Sequence, residues 1–108
     1  MVTHIVFWKL HTDDPDAAAA KIKSGLEALV GVVPGLLSAE VGRGLKPDAA
    51  YDLCLVSKFS SVEALKAYRT HPAHVRVSDY VHTVIENRAA VDYESDDPVD
   101  GEVDPFLL

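Results

Sequence analysis

The densest cluster of polar, titratable side chains in the chain is the run Ala67-Tyr68-Arg69-Thr70-His71-Pro72-Ala73-His74. A histidine titrates near ~6.5 and so can accept a proton at neutral pH. A tyrosine hydroxyl can hydrogen-bond the oxygen that becomes negative when a proton leaves the carbon next to a carbonyl. His74 as base and Tyr68 as donor would therefore suit enolisation. The same spacing has a plainer reading, in which Pro72 ends a helix, His71 caps it and His74 bonds a backbone carbonyl. A third reading makes His71 and His74 two ligands of a metal with His4 as the third. Zinc sites normally present clearer clusters of His, Cys and carboxylate, so neither metal nor cofactor is expected. His11 and His82 are given no role.

The elements around this run follow from periodicity. Thr3 to Leu10 reads as a strand, with His4, Val6, Trp8 and Leu10 on one face and Thr3, Ile5, Phe7 and Lys9 on the other. His4 thus shares a face with Val6 and Trp8 and is a candidate for a site between sheet and helices. Asp13-Asp14-Pro15 starts a helix whose apolar side is Ile22, Leu26, Leu29, Val30 and Val33, ended by Gly31 and Pro34. Leu36 to Arg43 is a second strand, with Leu37, Ala39 and Val41 expected on its apolar side, and Tyr51 to Phe59 a third. Ser60 and Glu63 have capping-box spacing ahead of Val62, Leu65 and Tyr68. Pro72 breaks that helix, a further one covers Ala73 to Ile85, and Arg88 to Tyr93 is the last strand.

The order β-α-β-β-α-β is that of a ferredoxin-like α+β sandwich, an antiparallel sheet with helices on one face. Apolar residues on both faces of the first strand leave a surface the helices cannot cover. A symmetric homodimer with two sheets packed face to face would bury it.

Composition sets the outer limits. The 108 residues, 48% hydrophobic and 25% charged, suit one globular domain. No segment approaches the ~20 apolar residues of a membrane-spanning helix, and the N-terminus shows no leader pattern, so a cytoplasmic protein without membrane attachment is expected. Of the 17 acidic residues, Glu94, Asp96, Asp97, Asp100, Glu102 and Asp104 lie in the last stretch, which has no Lys or Arg. The eleven acids of residues 1–93 nearly balance the ten bases, so a near-neutral domain, 1–94, is expected ahead of an acidic tail, 95–108. Without a basic stripe, nucleic acid is not an expected partner. The single cysteine, Cys54, reads as an inert core side chain. No serine elbow, phosphate-cradling loop or dinucleotide fingerprint is present, and Gly42-Arg43-Gly44 reads as a strand exit.

The segment FSSVEALKAYRTHPAH, Phe59 to His74, together with the opening THIVFWKL and the closing AVDYE, resembles the stress-responsive A/B barrel (Dabb) family over roughly residues 3 to 94. The resemblance implies a ferredoxin-like monomer that dimerises through its sheets into an α/β barrel. A plant member of the family closes a linear polyketide by an aldol-type step without a cofactor. By that likeness Tyr68 and His74 would be catalytic, with His4, Val6, Trp8, Leu26, His71 and Ile85 around a small hydrophobic or carbonyl ligand. Leu26 and Ile85 stand where that cyclase has aromatic residues, Leu53 where it has a histidine, and Trp8 where it has a smaller side chain, so a different substrate is implied. The family also includes stress proteins without assigned reactions, which gives the alternative of a non-enzymatic interaction protein. Cofactor-independent monooxygenases of the same fold type supply a third reading.

Overall fold

A computed structural model of the protein describes residues 1–95. The chain runs β1 (Val2–Leu10), α1 (Pro15–Glu27), β2 (Leu36–Arg43), β3 (Leu53–Phe59), α2 (Val62–Thr70), α3 (Pro72–Val84) and β4 (Ile85–Glu94). The four strands form one antiparallel sheet in the order β2-β3-β1-β4, which is the ferredoxin-like arrangement anticipated from the sequence. The acidic tail lies outside the described residues from position 96 onward.

β1 is central and its register distributes the chemistry. His4 stands opposite Ser57 of β3 on one side and Asp92 of β4 on the other, while Trp8 stands opposite Leu53 and Arg88. These residues share the helix-covered face, where Val6, Leu55 and Phe59 meet Ile22 and Leu26 of α1 and Leu65 and Tyr68 of α2 in one apolar core. The opposite face carries Phe7, Val56, Val91 and Tyr93, all exposed, with Val91 at 54% and Tyr93 at 50%.

The helices begin where their caps dictate. The Asp14 carboxylate accepts from Ala17 N–H ahead of Pro15, and the Ser61 hydroxyl accepts from Ala64 N–H. α1 is shorter than the apolar spacing suggests. After Glu27, Leu29 and Val30 bond three residues back instead of four, and Gly31 turns left-handed at φ 87°, so Leu29 and Val33 reach the core from turns. In β2, Leu36 pairs with Phe59 and Ser38 with the adjacent Lys58, which leaves Leu37 as an extra residue. This bulge reverses the expected side: Leu36 is 5% exposed and Leu37 54%. β3 starts at Leu53, two residues later than predicted, and Tyr51 packs beside Phe7 instead. α3 runs into β4 without a loop, so Ile85 begins the strand instead of ending the helix. Cys54 is opposite Phe7 on the outer face and only partly buried, not in the inner core; desolvation raises its pKa and keeps it a thiol.

Gly35 joins these parts. Its φ is +83°, its carbonyl accepts from Ser60 N–H, and an added Cβ would lie 2.5 Å from that of Ala64. Gly35→Ala is expected to cost on the order of 3 kcal/mol through left-handed strain and overpacking. A thermal melt should show a midpoint lower by roughly 10 °C or more.

Candidate active site

Asp92, on β4, stands across from His4 and accepts hydrogen bonds with both of its oxygens. His4 Nδ1–H donates to Oδ1 and the Arg69 guanidinium donates to Oδ2 at 2.9 Å. The residue before Arg69 is Tyr68, so this link from α2 to the sheet holds the Tyr68 ring over the inner face. Tyr68 is 3% exposed, meets Phe59 edge-on at 4.9 Å and lies 6.3 Å from the His4 ring. Its hydroxyl has no hydrogen-bond partner among the described residues, and no side-chain polar atom there is both fully enclosed and unpaired. The hydroxyl therefore retains access to the space beside it. Burial pushes its pKa up to about 12, so it is a hydrogen-bond donor throughout the physiological range.

His74 comes from the first turn of α3, and its ring lies 4.0 Å from that of Tyr68, tilted by 37°. Its Nδ1 makes a long hydrogen bond, 3.4 Å, to the Arg69 carbonyl. A carbonyl can only accept, so Nδ1 carries the hydrogen and Nε2 of the neutral ring keeps a free lone pair. Desolvation lowers the His74 pKa, helped by nearby positive charge including Arg88 and opposed by the Arg69 carbonyl. The imidazole is thereby kept in its basic, neutral form.

These groups line a cleft of about 430 Å³ between the sheet and the helices. Sites for small ligands begin at about 300 Å³. Val6, Trp8, Leu26, Leu55 and Val81 supply its apolar wall. His4, Tyr68 and His74 meet there with Asp92 and Arg69, and Ser78, His82 and Arg88 complete the polar side.

Of the residues singled out in the sequence, His4, Val6, Trp8, Leu26, Tyr68 and His74 line the cleft, whereas His71 and Ile85 do not. His71 is the N-cap of α3, its Nδ1 accepting from Ala73 N–H at 3.1 Å. Ile85 sits at the start of β4, where Leu10 is its partner. Asp92 and Arg88 had no signal in the linear pattern, because only the β1–β4 register brings them beside His4 and Trp8, while Arg69, inside the polar run but given no role, reaches the cleft by its bond to Asp92. His82, passed over on a helix face, reaches the rim; its Nδ1 donates to the Ser78 carbonyl at 2.7 Å. Among the described residues no group of three or more His, Cys, Asp or Glu is arranged to hold a metal ion.

The profile of the stress responsive A/B barrel domain, Dabb, matches residues 2–95. The chain belongs to the Dabb family. A curated relative, the stress-response A/B barrel domain-containing protein DABB1 of Arabidopsis thaliana, is 35% identical over 99 residues. That alignment covers 86% of this chain but 46% of DABB1, so the chain spans about half the length of this relative. Among solved structures, a dimeric ferredoxin-like protein of unknown function from Bacteroides fragilis is 34% identical, with a TM-score of 0.79 over 87% of this chain and 95% of that one. A hydroxynitrile lyase from Passiflora edulis superposes with a TM-score of 0.76 at 19% identity, covering 91% of this chain and 95% of the lyase, which is a likeness of fold. Dimers thus recur among the solved ferredoxin-like structures that this fold resembles.

The lowered pKa of His74 has a consequence for stability. In the unfolded chain the ring titrates near ~6.5, whereas the folded protein binds that proton less readily. Above pH ~7 both states are neutral and His74 contributes no pH dependence; below ~6.5 the unfolded state gains protons first and stability falls. Thermal melts of the wild type and His74→Gln at pH ~8 and ~5.5 should show a larger acid-side loss for the wild type.

Proposed function

We propose that this Dabb protein is a homodimer that binds a small carbonyl compound in the cleft and removes a proton from the carbon next to the carbonyl, without a cofactor. The observation that carries this reading is the close, tilted Tyr68–His74 pair lining a cleft of ligand size, with the Nδ1 of His74 committed to a backbone carbonyl. His74 Nε2 takes the proton. The C–H electron pair becomes the enolate double bond, the carbonyl π pair moves to oxygen, and the Tyr68 hydroxyl donates to that oxygen. The enolate is then reprotonated at a different carbon, attacks a second carbonyl, or expels a leaving group. Isomerase, cyclase and lyase outcomes share this first step. His4, Val6, Trp8 and Leu26 form the ligand's surroundings in this scheme.

The exposed outer face supports a second reading, in which the face-to-face barrel dimer is itself the functional unit in stress response or partner binding. Solvent deuterium exchange into a panel of ketones, followed by mass spectrometry, separates the two. The wild type should exchange α-protons. His74→Ala should slow exchange by about 10²- to 10³-fold and Tyr68→Phe by about 10²-fold, both remaining dimers. Exchange that is absent in the wild type or unaffected by both substitutions would favour the barrel as the functional unit.

The dimer is tested on the other face. Phe7→Glu combined with Val91→Glu places charge on the outer sheet surface, away from the cleft. Light scattering after size exclusion should show a monomer, whereas His74→Ala should elute as the wild type does.

A further inference from the structure

The polar groups of the cleft are not spread evenly along it. Arg88 and Asp92 lie on the same face of β4, four residues apart, a separation of about 13 Å between their Cα atoms. Between them Ala90, opposite Val6, leaves the floor low and apolar. Among the described residues Asp92 is the only carboxylate lining the cleft, and both of its oxygens are engaged, one by His4 and one by Arg69. Arg88 has no carboxylate partner among the described residues. One end therefore pairs its charges internally and offers hydrogen bonds from Tyr68. The other presents the Arg88 guanidinium, without a carboxylate partner among the described residues, beside Trp8.

A neutral carbonyl suits the first end, where Asp92 and Arg69 already pair and Tyr68 offers a hydrogen-bond donor. A carboxylate suits the second, because guanidinium and carboxylate match as a two-pronged, charge-assisted pair. We propose that the cleft takes an oxo acid, a ligand whose carboxylate is held by Arg88 while its apolar body crosses Ala90 and Trp8 and its ketone reaches Tyr68 and His74. The proposal rests on the proton-abstraction reading of Tyr68 and His74 for the orientation of the ketone, but the anchor at Arg88 stands on the charge distribution alone. Arg88 would then be a specificity-determining residue, separating acids from neutral ketones of the same shape.

The probes are 3-benzoylpropionate, an aryl ketone bearing a carboxylate, and butyrophenone, which has a methyl group in place of the carboxylate. Calorimetric titration of the full chain should give an affinity for the acid at least about tenfold above that for the ketone, declining as salt is raised. Arg88→Gln should abolish that preference while leaving butyrophenone binding and the melting midpoint unchanged, and Arg88→Lys should restore part of it. Equal affinity for acid and ketone, an undiminished preference in Arg88→Gln, or no binding of either probe would overturn the proposal. Deuterium exchange in the same samples keeps the two readings apart. Exchange lost in His74→Ala without any acid preference leaves the base and removes the anchor; an acid preference lost in Arg88→Gln, with exchange unaffected by His74→Ala, does the reverse.

Discussion

The carboxylate of Asp92 is the interaction on which the arrangement of the cleft depends. A histidine in the middle of a central strand, 6% exposed, needs a hydrogen-bond partner, since a buried polar group left unpaired costs roughly 1–3 kcal/mol. Asp92 supplies one across the β1–β4 ladder and uses its second oxygen to hold Arg69. That contact ties the C-terminal part of α2 to the edge strand. It fixes the height of Tyr68 above the sheet and, through the Arg69 carbonyl, the direction of the His74 ring. Removing the carboxylate would free His4 and Arg69 together, because neither has another acidic partner among the described residues.

Much of the fold was legible because it is written in local signals. The strand alternation of β1, the Asp14-Pro15 start of α1 and the break at Pro72 each act within a few residues, and each appears where its chemistry requires. The bulge at Leu37 was not legible. Leucine at either of two adjacent positions satisfies the alternation, and only the pairing with β3 selects Leu36 for the core. The candidate site divides in the same way. His74, Tyr68 and His4 stand out by residue type, whereas Asp92 and Arg88 lie in the polar strand Ile85–Glu94, whose composition gives no inner face until its register on β1 is known.

Two readings of the His71-Pro72-Ala73-His74 segment competed in the sequence, one structural and one chemical. The geometry makes them compatible, because they use different atoms. His71 spends its Nδ1 lone pair as a helix cap, and so takes the tautomer with hydrogen on Nε2. His74 spends its Nδ1 hydrogen on the Arg69 carbonyl, and so takes the opposite tautomer. The proline that breaks the helix is what allows two nearby histidines such different surroundings. One ends up in the backbone and the other in the cleft.

A single physical cause, burial under α2 and α3, acts in opposite directions on the pKa values of Tyr68 and His74. Desolvation disfavours whichever form is charged. For a phenol that form is the anion, and Tyr68 is pushed up to about 12; for an imidazole it is the cation, and the His74 pKa is lowered. Both groups are therefore held neutral over the same range of pH, one able only to donate at its hydroxyl hydrogen and the other free to accept at Nε2. An oxygen becoming negative beside Tyr68 would strengthen that hydrogen bond as charge develops, while the imidazolium formed on His74 would sit near the anion it had created. The apolar wall that raises the cost of isolated charge thus favours the one step in which opposite charges appear together.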